Sequence, residues 1–143
     1  MTEHSTTKSQ ADFAQRVDAI EAGYEFLLAY AAQGRHTDRG AAPERNVRTY
    51  LQNMETALQG LGAVAADCAT QRDATLVERC SAFLAAVESD SNKSLGAVRL
   101  VLAQEDISSQ LVDNLNASIH LRALLTDVFI LDEAFKRRTG GKQ

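Results

Sequence analysis

Hydrophobic residues recur along this chain in alternating steps of four and three. Phe13, Val17, Ile20, Tyr24, Leu27 and Ala31 make one such series, and Val47, Leu51, Met54, Leu58, Leu61, Ala65 and Cys68 make a second without a slip. Side chains spaced in this way fall on a single stripe of an α-helix. A stripe that narrow is buried when helices pack side by side at shallow angles. The pattern predicts an all-α chain built of long helices.

Cap and turn residues divide the pattern into four. Ser9 with Asp12 has the form of a capping box, so the first helix is expected to start near Ser9 and run to about Gln33. A polar loop bracketed by Gly34, Gly40 and Pro43 leads into a second helix over about 43–69. Pro43 suits its first turn, where the missing N–H would have had no partner. Thr70 with Asp73 repeats the cap signature ahead of a third helix with Leu76, Val77, Cys80, Phe83, Leu84 and Val87 on one side. The polar run 89–94 is rich enough in turn formers to break that helix. Val87, Ser91, Ser94, Val98 and Leu102 nevertheless stay in register and favour continuity to about Gln104. Asp106 is the expected cap of a last helix from about Ile107 to Arg138, stopped by Gly140 and Gly141. Four helices of similar length with one longer and two very short connections predict an antiparallel up-down-up-down four-helix bundle. The bundle is expected to form one domain over 1–143, with disordered ends at about 1–8 and 139–143.

Gly60 and Gly62 each cost the second helix about 1 kcal/mol of propensity. With Ala57, Ala63, Ala65 and Ala66 they make a segment poor in side chains, which lets a neighbouring helix come close or leaves a small ligand cavity.

Composition narrows the function classes. One proline and 6% aromatic residues argue against a sandwich or barrel. A formal charge of −4 leaves no sustained basic face for a phosphate backbone, so no nucleic-acid partner is expected. The amino terminus lacks a basic region followed by an apolar run, and no uncharged stretch approaches the roughly 18 residues that a membrane span needs. The expectation is a cytoplasmic protein without membrane contact. Cys68 and Cys80 flank a turn and would lie roughly 10 Å apart along antiparallel helices, too far for a bridge, so both are expected to be free.

Motifs for chemistry are sparse. A di-iron bundle needs Glu-x-x-His pairs facing inward, and this sequence has none; His4, His36 and His120 are its only histidines. Cys-x-x-Cys-His, a Gly-rich phosphate loop and Gly-x-Ser-x-Gly are all missing. No cofactor, metal or catalytic residue is assigned.

Three functional readings follow. The first is a non-enzymatic accessory or regulatory bundle acting through protein–protein association, as a homodimer or larger homo-oligomer or with an unidentified protein partner. Phe26 points away from the complete core stripe of the first helix, and the last helix is apolar almost all round, with Ile119, Ala123 and Ile130 on its polar side. A monomeric bundle encloses no helix completely, so such surplus marks an interface. The second is a small-anion or small-ligand site in the loop 34–48. There Arg35, His36, Arg39, Arg45 and Arg48 gather near a helix amino terminus, within reach of Tyr24. The third rests on His120, which shares a strip with Asn116, Asp127 and nearly Asp113. The run Ser118 to Leu124 distantly resembles histidine phosphotransfer domains, and that resemblance implies an exposed His120 carrying a phosphoryl group. Those domains have a lysine and then a glycine shortly after the histidine, whereas here Arg122 is misplaced and no glycine follows.

Overall fold

Both heptad series form core. Phe13, Val17, Ile20 and Leu27 are buried, as are Val47, Leu51, Met54, Leu58, Leu61, Ala65 and Cys68, with Tyr24 and Ala31 packed at the margin. The computed structural model describes the backbone of residues 2–140 and the side chains of 8–135. The expected frayed end at 139–143 therefore lies largely outside the described residues. So do most side chains of the expected disordered segment 1–8.

Among the described residues the chain is all-helical and has no strand. Its helices are α1 (Thr2–Ala31), α2 (Val47–Leu58), α3 (Leu61–Arg72), α4 (Ala74–Arg79), α5 (Ser81–Leu102), α6 (Ser109–Asn116) and α7 (Ile119–Gly140), with a 3-10 turn at Pro43–Arg45. Seven α-helices stand where four were expected, because three of the expected helices are each broken once.

The break in the second falls at Gly60, which takes the left-handed conformation at φ +72 that glycine alone adopts freely. Ending α2 there leaves carbonyls without intrahelical donors. Arg16 of α1 donates to two of them, Ala57 O and Gln59 O, while holding Asp12 at 2.9 Å. The heptad register continues across the break, since Leu58, Leu61 and Ala65 are all buried. The second break, at Cys80, separates the short α4 from α5, and α5 then passes unbroken through 89–94 with Ser91 and Ser94 facing inward. The third, at Ala117 and Ser118, carries neither glycine nor proline.

Caps also differ from those expected. Ser9 lies inside α1, and its carbonyl accepts from the Cys68 thiol. Thr70 lies inside α3, and Asp73 itself caps α4 by accepting from Thr75 N. Pro43 opens the 3-10 turn, whereas Asn46 caps α2 by accepting from Arg48 N at 2.8 Å. Ser108, not Asp106, caps α6.

Close contacts set the order of packing. On α1, Phe26, Gly23, Arg16 and Ser9 meet Tyr50, Met54, Ala57 and Cys68 in turn, so α2 and α3 run opposite to α1. Glu55 pairs with Arg99, and Gly62 lies against Glu88 so closely that a Cβ at Gly62 would stand 3.0 Å from the Glu88 Cα. The side-chain-poor segment thus serves close approach of α3 to α5. Tyr30, Leu27 and Phe13 meet Ile107, Asn116 and Phe135 in turn, which seats α6 and α7 along α1. Both cysteines are free thiols, Cys68 buried and Cys80 half-buried.

Candidate functional site

Three places gather polar or unpartnered groups, and the first is the loop after α1. Asp38 is its centre: one carboxylate oxygen accepts from Arg48 Nε at 2.8 Å and the other from Ile107 N at 2.9 Å. Burial alone would raise this carboxyl group, but the Arg48 guanidinium and the backbone N–H groups outweigh it and hold Asp38 below its ordinary range. Arg48 also donates to Leu102 O, Gln104 O and Glu105 O, placing a cation on the carbonyls at the end of α5. Arg35 spends its guanidinium on Thr37 O and Arg39 O, and Arg39 pairs with Glu105 and Asp106. Asp106 accepts from Thr37 as well. Underneath, Ser109 donates to Tyr30 O and Tyr30 donates to Ile107 O, each at 2.6 Å. Burial raises the Tyr30 hydroxyl above its ordinary value despite the nearby Arg35.

This constellation is a clasp that ties the loop to the α5–α6 connection. Arg35, Arg39 and Arg48, gathered by the sequence pattern as anion ligands, face different internal partners. Arg45 and His36 are exposed, and Tyr24 is half-buried against the core. No group of three metal-ligating side chains occurs among the described residues.

The second place is a buried carboxyl pair between α5 and α7. Asp127, 9% exposed, shares a hydrogen bond with Asp90. Burial, then that hydrogen bond, then the like charge raise Asp127 to about 7. Asp127 Oδ2, Ser91 Oγ and Ser94 Oγ are buried without a hydrogen-bond partner. The polar strip read around His120 is therefore divided. Asp127 turns inward, Asn116 is buried on α6 and donates to Leu27 O, and His120 is exposed on the first turn of α7. Cys68 offers no thiolate at neutral pH, because burial and then Asp67 push its thiol up to about 11.

The third place is the outer face of α5 and α7. Ile119 is 73% exposed, Leu100 65% and Ile130 52%, with Phe129 also open to solvent. Ile119, Ala123, Thr126, Ile130 and Glu133 follow the same steps of four and three as the core stripe, but on the side of α7 opposite Leu121, Leu124, Val128 and Leu131. Phe26, expected in the same role, is instead stacked within the chain on Tyr50, ring centroids 4.1 Å apart. The buried ion pair at Asp38 and the Asp90–Asp127 pair escaped sequence reading because their partners are distant in the chain. The α7 stripe was legible as surplus hydrophobicity.

Comparison of the chain with protein-family models, with curated proteins and with solved structures gave no match.

Proposed function

We propose that this chain is a non-enzymatic accessory or regulatory module that works by protein–protein association, first of all with itself. The observation that carries this reading is the outer stripe of α7 with Leu100 of α5 beside it. Two isoleucines and a leucine, each more than half exposed, sit together on adjoining helices. Burying a large aliphatic side chain is worth about 1.5–3 kcal/mol, so a cluster of three is a substantial driving force for contact. The same reading takes the seven helices as four antiparallel rods, α1, α2 with α3, α4 with α5, and α6 with α7, since the contacts of each rod run in opposite order to those of its neighbours. The surplus hydrophobic face is then the outside of two adjacent rods.

Ile119→Glu combined with Ile130→Glu tests it. Both positions are exposed, so the double variant should keep its helical spectrum and melting temperature while losing the assembled species in light scattering behind size exclusion. An unchanged assembly in the folded variant would remove this face from the account.

A further inference from the structure

Resting on that reading, we infer that the occupant of this face is a second copy of the chain, laid antiparallel along α7 across a two-fold axis between Thr126 and Asp127. At about 100° per residue, Ala123 and Ile130 lie on the flank of the outer stripe that faces α5, the side taken by Asp127, while Arg122 and Glu133 lie on the other flank. In a two-fold antiparallel pair each flank meets its own counterpart with residue order reversed. Ile130 of each copy then seats on Ala123 of the other, and Arg122 comes within a turn of Glu133 across the axis. Large meets small and positive meets negative, each contact made twice. A parallel pair would set Arg122 against Arg122 and Ile130 against Ile130.

Gly96 supports the same occupant. It lies mid-helix in α5, is exposed, has no positive φ, and a Cβ there would meet nothing within 4 Å. Nothing inside the chain requires glycine at this helix-weakening position. Counting from the Asp90–Asp127 pair along helices running in opposite directions sets Ala123 level with Ser94, within a turn of Gly96 and Ala97. Gly96, Ala97 and Ala123 form a shallow notch, and Ile130 of the second copy fills it.

Charge reversal tests the pairing by sedimentation equilibrium at low salt. Arg122→Glu and Glu133→Arg should each weaken self-association on the order of tenfold, and the double reversal should return it to within about threefold of the parent. The two residues stand about 16 Å apart along one helix, so recovery can arise only between chains. Gly96→Leu, expected to fold normally in open space, should weaken association by a similar factor. An associating parent whose double reversal fails to recover, or whose single reversals change nothing, overturns the antiparallel pairing and leaves association standing. A parent that stays monomeric overturns both.

Discussion

Asp127 is the residue where burial and function pull apart most clearly. Its proton is held more tightly in the folded chain than in the unfolded one, so its contribution to stability is full below the ordinary carboxylate value of 3.8 and is lost as pH rises toward about 7. Thermal melts should therefore show stability declining between about pH 4 and pH 7 and levelling above. Asp127→Asn should flatten that decline and, at pH 8, stabilise the chain on the order of 2 kcal/mol. A parent profile that rises over the same window would contradict the raised Asp127. Arg48 behaves in the opposite sense. Removing it leaves Asp38 charged and buried and the carbonyls at the end of α5 without their donor. Arg48→Ala should cost about 3 kcal/mol in urea denaturation, whereas Arg45→Ala on the exposed turn should stay within about 0.5 kcal/mol. Neither contrast was visible in the sequence. The four arginines look alike there, and what separates them is contact with groups as remote as Ile107 and Leu102.

At the scale of elements, the stripes were legible and the breaks were not. A heptad repeat reports which side of a helix is buried, and it continues unaltered through Gly60 because both α2 and α3 bury the same face on α1. The cap signatures misled for a related reason: Ser9 with Asp12 has the right spacing, but backbone continuity at Ser9 is decided by packing against Cys68 rather than by local hydroxyl chemistry. The break at Ala117 and Ser118 has no sequence punctuation at all. Two glycines of the same segment now separate by mechanism. Gly62→Ala places a methyl group against the Glu88 backbone and should destabilise by about 1–3 kcal/mol through overpacking. Gly60→Ala has open space but a left-handed backbone and should cost about 1 kcal/mol. Equal costs in a denaturant titration would mean that close approach of α3 to α5 is not what fixes Gly62.

On the scale of the whole molecule, the clasp and the outer face divide the work. The arginine-rich loop is bound into the end of the fold by its own carbonyls and carboxylates, which accounts for its charge without a ligand. The outer face of α5 and α7 has no such internal account, because three large aliphatic side chains stand mostly in solvent. Membrane insertion does not explain them, since no helix among the described residues is long and apolar enough to cross a bilayer. Association does. The most direct test is the mass of the native chain by sedimentation equilibrium across a micromolar concentration series. A mass of twice 15.5 kDa or more, falling toward 15.5 kDa on dilution, is the expected result. A mass that stays at 15.5 kDa up to the highest concentration would contradict the account.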